Sequence, residues 1–342
     1  MYENLRQKKI NNIIKIVNKF KLPDLYGFIN GNLKYQTAVI MYHGINTKKD
    51  VWSIGSIDTN EFEKQIKYLK KTHKILSLKE TCEIINEKKR FPKRGVVITF
   101  DDGYKDNYKN AFPILKKYKI PATIFLTTGH IGKEKIFWWN KLAHVLYYTK
   151  LKKIDLGNYG NISIPNKNNI YLFLYKIIDE FKYKNIAERD NLIEIILKQS
   201  DVEISEDINK ELMASWDEIK EMSENNIDFG AHTVNHPILT NISLKQAEYE
   251  ILQSKKDIEK KINKPINTFS YPNGKKRDFN SDIINILKKY GFICAVTNIP
   301  KMVSSKTNLY EIGRFSPGRD YNSFKYFISG LYYDFKYIFQ YI

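Results

Sequence analysis

The sequence predicts a parallel α/β fold, a barrel or a doubly wound sheet, and two observations carry that expectation. Short apolar runs rich in β-branched residues alternate along the chain with longer segments of helical period. Chemistry-bearing residues fall just after those runs, where parallel α/β folds place their sites. With 342 residues, 42% of them hydrophobic and 27% charged, the chain is long enough to bury a substantial core.

From the start, residues 1–36 form a basic amphipathic segment: Ile10, Ile13, Ile14 and Val17 recur at helical spacing, with lysines on the other side. Strands are expected at 37–42, 74–77, 95–100, 121–126, 227–231, 267–271, 292–297 and 310–314. Between them, residues 60–71 place Phe62, Ile66 and Leu69 on one helical face. Ser243, with Gln246 three residues on, opens a long charged helix over 243–262, and a helix over 279–290 stops at Gly291. One interval breaks the alternation. About a hundred residues separate the strands near 126 and 227, far beyond the usual connection. The simplest account is a helical insertion over about 131–212, entered at Phe137, Trp138 and Trp139, with two helices in 170–199. Residues 317–342 are read as an aromatic C-terminal helix carrying Phe324, Phe327, Tyr332, Tyr333, Phe335 and Phe339. The barrel itself is expected over 37–316.

Composition narrows the chemistry. Two cysteines, Cys82 and Cys294, exclude a disulfide scaffold and a thiolate-built zinc site, so a metal would need histidine and carboxylate ligands. The net charge of +18 suits nucleic acid, an anionic membrane or an acidic glycan. The heavy use of Lys, Asn, Ile and Tyr also reflects A/T-rich coding, and no motif focuses the charge on nucleic acid. No stretch reaches the ~20 apolar residues of a membrane span, and the start lacks a secretory apolar region. The expectation is a cytoplasmic protein, peripheral to the inner membrane face, without nucleic acid as partner. Residues 1–36 hold seven Lys and Arg against two acidic residues, which fits an anionic membrane or a lipid-linked sugar.

Four strand ends carry the candidate site. The run VVITFDDGY over 96–104 ends in Asp101 and Asp102, and neighbouring strand residues face opposite ways, so both address one site only if the chain turns there, as Gly103 permits. Acid/base work, a metal site and a plain Asx turn all use such a pair. His232 and His236 lie four apart after a short strand, the spacing of paired metal histidines. With Asp102 they make three ligands and leave a position open for water. His43 after AVIMY, and Tyr271 to Gly274 after the strand near 267, would converge on the same face. His73, His130 and His144 lack such company and are assigned structural or surface roles.

The order T-F-D-D-G at 99–103, H-T-x-x-H at 232–236 and F-S-Y-P-x-G at 269–274 resembles the polysaccharide deacetylases, the NodB-homology or carbohydrate esterase family four enzymes. The resemblance covers about 37–130 and 213–316. It implies a distorted (β/α)7-type barrel and a divalent-metal N-deacetylase acting on an N-acetylated glycan. By position, Asp101 would be the general base, and Asp102, His232 and His236 would hold the metal: zinc, with cobalt, nickel or manganese as alternatives. The backbone N–H of Asn273 would face the oxyanion. Tyr271 is placed among the substrate-binding residues, and Arg314, at a late strand end, would orient Asp101, meet the substrate or stand exposed. Many members have an Arg where this chain has Ser270, and a late histidine as general acid, whereas no histidine follows His236 here. Members acting on poly-N-acetylglucosamine carry a Tyr-His pair similar to Tyr42-His43, which makes His43 the expected acid. Two rivals remain. A glycosidase needs carboxylates farther apart than adjacent residues allow, and a catalytically silent glycan-binding module is the reading that the missing late histidine favours.

Overall fold

The computed structural model describes residues 12–330 apart from 13, 34, 48–50, 54, 134, 206–207 and 319. Ile10, Ile13 and the rings Tyr332, Tyr333, Phe335 and Phe339 lie outside the described residues. After α1 (Leu22–Leu33), strands and helices alternate: β1 (Thr37–Tyr42), α2 (Thr59–Thr72), β2 (Lys74–Ile75), α3 (Leu78–Asn86), β3 (Gly95–Phe100), α4 (Phe112–Tyr118), β4 (Ala122–Leu126). The long interval holds α5 (Trp138–Tyr148), a hairpin of β5 (Lys153–Asp155) and β6 (Asn161–Ser163), then α6 (Ile170–Phe181), α7 (Ile186–Gln199) and α8 (Ile208–Leu212). Alternation resumes with α9 (Trp216–Ser223), β7 (Ile227–Ala231), α10 (Leu244–Ile262), β8 (Thr268–Ser270), α11 (Ser281–Lys289) and β9 (Cys294–Val296), and ends in α12 (Tyr321–Ile328).

Seven strands pair in parallel in one curled sheet, ordered β1-β3-β4-β7-β8-β9, with β2 beside the start of β3. β4 pairs only with the end of β3, at Thr99 and Phe100, so β2 and β4 share one flank of that strand. The strand expected at 310–314 does not form. Asn308 caps a 3-10 turn over Leu309–Glu311, and two single bridges follow, Ile312 to Val296 and Phe315 to Ile40. Those bridges still join β9 to β1 across the open side, which gives the distorted (β/α)7-type barrel. The insertion is likewise not purely helical, since the β5–β6 hairpin sits between α5 and α6.

Period-two alternation decides what each strand faces. On β3, Val96, Ile98 and Phe100 join the layer shared with Phe62, Ile66 and Leu69 of α2, while Val97 packs with Val39, Phe125, Val296 and Ile312. Thr99 and then Asp101 continue the face of Val97. The helices begin where their sequences place caps: Ser77 with Glu80 forms a capping box on α3, and Ser243 accepts from the Gln246 N–H on α10, each worth about 1 kcal/mol. The insertion has its own apolar cluster, in which Leu142 and Leu146 of α5, Leu174 and Ile177 of α6 and Leu192 and Ile196 of α7 meet Val51 from the β1–α2 connection.

Candidate active site

At the C-terminal end of β3 the two aspartates part company. Asp101 keeps the strand's inward face, and Asp102 turns into the same site because its backbone adopts φ +75°, followed by Gly103 at φ +86°. Left-handed backbone is costly for a non-glycine residue, and here it marks the point where two adjacent carboxylates are brought to one site. Asp101 is gripped by Arg314, whose Nη1 donates to Oδ1 at 2.8 Å and Nη2 to Oδ2 at 2.7 Å. The guanidinium is itself fully buried and spends its other protons on Ser270 Oγ, Thr99 Oγ1 and the Thr297 carbonyl. Burial alone would raise the Asp101 pKa, but Arg314 and His232 overcome it and hold the carboxyl well below the usual range. Asp101 is therefore a fixed, ionised carboxylate.

Asp102, His232 and His236 form the second group, their ligand atoms all within 4.8 Å of one another. Asp102 Oδ1 lies 3.6 Å from Nε2 of each histidine, and the two Nε2 atoms are 3.1 Å apart. His232 Nδ1 is 2.7 Å from the Ser270 carbonyl, which can only accept, so Nδ1 carries the proton and Nε2 turns a lone pair towards the carboxylate. Asp102 Oδ1 is buried with no hydrogen-bond partner. The His232 lone pair and the His236 Nε2 converge on this orphaned oxygen of Asp102, whose pKa is raised by burial and by Asp101, and a bound cation would relieve that charge, so these residues fit a divalent metal with one carboxylate and two histidines. Burial pushes the His232 pKa down to about 4 and that of His236 well below its ordinary value, keeping both neutral, the form in which an imidazole can bind a metal. The loop between them is braced by buried Glu250 of α10, which accepts from the Val234 and Asn235 N–H groups at 2.8 Å each and from Asn235 Nδ2 at 2.7 Å.

Both groups open into a pocket of about 270 Å³ that is also lined by His43, Tyr271, Asn273 and Arg314. The eight expected site residues thus meet in one place. Burial lowers the His43 pKa, with Asp101 pulling it up and Arg314 pushing it down. Asn273 sits at φ +58°, and its N–H has no hydrogen-bond partner among the described residues. Tyr271 lines the pocket with its hydroxyl donating to the Tyr310 carbonyl and its ring stacked on Phe279 at 4.3 Å. Arg314 is buried against Asp101 at the inner wall of the same pocket.

The wall facing the histidines was not foreseen in detail. Trp139 meets the His236 ring edge-on at 4.9 Å, Phe137 stacks on Trp139 at 4.2 Å, and His130 stacks on Phe137 at 3.9 Å. Tyr104 accepts from Trp139 Nε1 and lines the same pocket, as do Tyr175, Lys182 and Arg189 from the insertion. The run Phe137-Trp138-Trp139 was the available signal.

A family profile described as polysaccharide deacetylase matches residues 88–295, which take in the Asp101–Asp102 turn, both metal-type histidines and the Ser270–Gly274 segment. The chain belongs to the polysaccharide deacetylase family. Among relatives of this deacetylase, YxkH of Bacillus subtilis (strain 168), which carries a polysaccharide deacetylase name, is 24% identical over 314 residues, 91% of this chain and 82% of that protein. A poly-β-1,6-N-acetyl-D-glucosamine N-deacetylase of Staphylococcus aureus (strain MSSA476) is 41% identical over 122 residues, 34% of this chain and 42% of that protein. Among solved structures, IcaB from Ammonifex degensii superposes with a TM-score of 0.58 at 18% identity, over 86% of this chain and 97% of that one. The Streptococcus pyogenes deacetylase PplD does so with 0.53 at 21%, over 82% and 92%. Both structures speak to the fold. In this deacetylase the position expected to hold an arginine is Ser270, whose Oγ accepts from Arg314 and lies 3.3 Å from Asp101 Oδ2. The guanidinium reaches the carboxylate from residue 314, after β9.

Proposed function

We propose that this chain is a divalent-metal N-deacetylase that removes acetyl groups from N-acetylated sugars of a bacterial polysaccharide or of its lipid-linked precursor. The observation that carries the reading is the orphaned Asp102 Oδ1 beside the Nε2 atoms of two histidines, next to the ionised Asp101–Arg314 pair in one pocket. Held by Asp102, His232 and His236, a divalent cation, zinc in our reading, supplies Lewis acidity to the acetamide carbonyl and the attacking water. Asp101, aimed by Arg314, takes the proton of that water as it attacks. The Asn273 N–H donates to the oxygen on which negative charge develops. His43 delivers a proton to the sugar nitrogen, which leaves poorly as an anion, and the products are acetate and a free amino sugar. Protein purified without chelator should contain one equivalent of divalent metal and release acetate from β-1,6-linked N-acetylglucosamine oligomers. Asp101→Asn should lower that rate about 10²–10⁴-fold while keeping the metal; equal rates would remove Asp101 as base.

Supporting the lipid-linked part of the reading, Ile16, Phe20, Leu22, Leu25 and Ile29 are all exposed, Phe20 at 67%, on a segment that also exposes Lys15, Lys19 and Lys21. We read this segment as a contact with an anionic membrane surface, where lysines meet headgroups and the apolar side chains enter the interface. Among the described residues no helix is long and apolar enough to cross a membrane. Phe20→Glu with Leu25→Glu should reduce cosedimentation with phosphatidylglycerol vesicles several-fold; unchanged cosedimentation would discard the contact.

A further inference from the structure

His43 stands one residue beyond β1, where the strand has lost its ladder. Tyr42 is the last residue paired with β3, its carbonyl accepts the Asp101 N–H at 3.0 Å, and β3 then turns away through the left-handed Asp102 and Gly103. The backbone that carries the imidazole therefore needs other partners. It finds them just after that turn. Asn107 Nδ2 donates to the His43 carbonyl at 2.7 Å, and Asn110 Nδ2 donates to the Ile45 carbonyl at 2.6 Å. Between these two, the Gly44 carbonyl accepts from the Ile57 N–H at 2.9 Å. Three successive carbonyls are tied down, two of them by side-chain amides of one short segment.

That segment is a single π-helical turn over Asn107–Ala111, in which the Phe112 N–H reaches back five residues to the Asn107 carbonyl. Pro113 gives the reason: it has no N–H to offer the Lys109 carbonyl, and its ring crowds that carbonyl, so the turn ahead of it widens. Asn107 is fully buried, and its Nδ2 also donates to Asp106 Oδ1 at 3.0 Å. Both partners of Nδ2 are acceptors, which fixes the way the amide faces. Its own Oδ1 is buried without a partner, a desolvation cost that the two N–H bonds have to offset. The following residue of the His43 segment is just as confined, since a Cβ on Gly44 would lie 2.2 Å from Ser56 Oγ and 2.8 Å from Asp106 Oδ2. Among the described residues no hydrogen bond reaches the His43 imidazole, so its direction into the catalytic pocket is set by the backbone beneath it. We propose that Asn107 is a positioning residue for His43: its amide fixes the residue 43 carbonyl, and through it the direction in which the imidazole presents its proton to the sugar nitrogen. The inference rests on the reading of His43 as proton donor. It ties acid to base, because the chain that ends β3 in Asp101 and Asp102 supplies, five residues after Asp102, the hold on the acid.

Two measurements test it. The first uses two substrates that differ in what leaves: a sugar amine has to be protonated as it departs from an acetamide, whereas nitrophenolate leaves 4-nitrophenyl acetate without a proton. In the metal-loaded full chain, Asn107→Ala and the isosteric Asn107→Asp should each lower acetate release from β-1,6-linked N-acetylglucosamine oligomers at least about 10-fold more than ester hydrolysis, through kcat rather than KM. His43→Gln should show the same imbalance, and adding Asn107→Ala to it should cost less than about 3-fold further, since the two residues act as a unit. Equal losses on the two substrates, or the full cost of Asn107→Ala in the His43→Gln background, overturn the proposal, because a general loosening of the site would slow both reactions. The second measurement reads the hold without turnover, from the imidazole signals of 15N-histidine-labelled protein, with that of His43 assigned by its loss in His43→Gln. One sharp His43 signal in the wild type that broadens or divides in Asn107→Ala, while the His232 signal stays in place, supports the hold even if no acetate is ever released, so failure of the deacetylase reading and failure of this one are distinguishable. A His43 signal unchanged by Asn107→Ala overturns it.

Discussion

The barrel rim and the insertion both line the catalytic pocket, but they hold their side chains by different physics. On the rim, Asp101, Arg314, Ser270 and His232 are buried and locked by charge-assisted or carbonyl hydrogen bonds at 2.7–2.9 Å. Such a network tolerates no missing member, because a buried charge that loses its partner keeps its desolvation cost. The insertion instead presents Trp138, Tyr175, Lys182 and Arg189 from helices that share a separate apolar cluster, while Trp139 packs against the barrel core. Groups of this kind shape and bind, and each can be altered without unbalancing the rest. In the proposed reaction, chemistry would be seated on the locked rim and fit to the substrate on the insertion.

The sharpest way to break that division is to weaken one member of the rim. Arg314→Gln leaves Asp101 buried without its cation, and activity should fall about 100-fold or more in kcat, with a stability loss of about 3–5 kcal/mol. Arg314→Lys, which restores the charge without the two-pronged grip, should recover part of both. Acetate-release kinetics and chemical denaturation check the pair, and a Gln variant with wild-type kcat would show that Asp101 needs no aiming. The corresponding change in the insertion is Leu192→Ala, which removes a fully buried side chain from its cluster at a cost of about 2–5 kcal/mol. Hydrogen exchange should quicken over 138–199 while the strands of the barrel keep their protection, and KM should rise more than kcat falls. Uniform loosening would mean that the insertion and barrel unfold as one unit.

This division also explains what could be read beforehand. The Asp101–Asp102–Gly103 turn and the His232/His236 pair are legible because a strand end, a glycine and a four-residue spacing are local facts. Arg314 is legible only as a candidate: the sequence offers it to orient Asp101 or to meet the substrate, but not the path of its guanidinium between Thr99, Ser270 and Thr297 to Asp101. Ser270 looks like a loss from the third motif and becomes intelligible only once Arg314 is seen to donate to it. The expected strand at 310–314 yields because Asn308 caps a 3-10 turn there, leaving single bridges at Ile312 and Phe315. The β5–β6 hairpin is invisible in the sequence because its strands are three residues long and carry Lys153 and Asp155 beside one inward Ile154. Trp138 and Arg189 are fifty residues apart, and only the packing of α7 against α5 makes them a pair.

The smallest expected effect lies at the seam between the two regions. His130 sits where the barrel passes into the insertion, its Nδ1 donating to the Lys135 carbonyl at 2.6 Å and its ring stacked on Phe137. Burial pushes its pKa down to about 3, and the neighbouring Lys135, Lys133 and Lys141 act in the same direction against the opposing pull of the carbonyl. In the unfolded chain it titrates near its ordinary 6.5, so on acidification the unfolded state takes up the proton first. Its contribution to stability is therefore complete above about pH 6.5 and drains away as the pH falls from there towards 3. His130→Asn gives up the ring stack and should be less stable at pH 7, yet lose less between pH 7 and 4 than the wild type does. Melting temperatures across that window check the difference. Parallel slopes for the two proteins would place the acid sensitivity elsewhere, and leave the seam as indifferent to protonation as the Asp101–Arg314 pair above it.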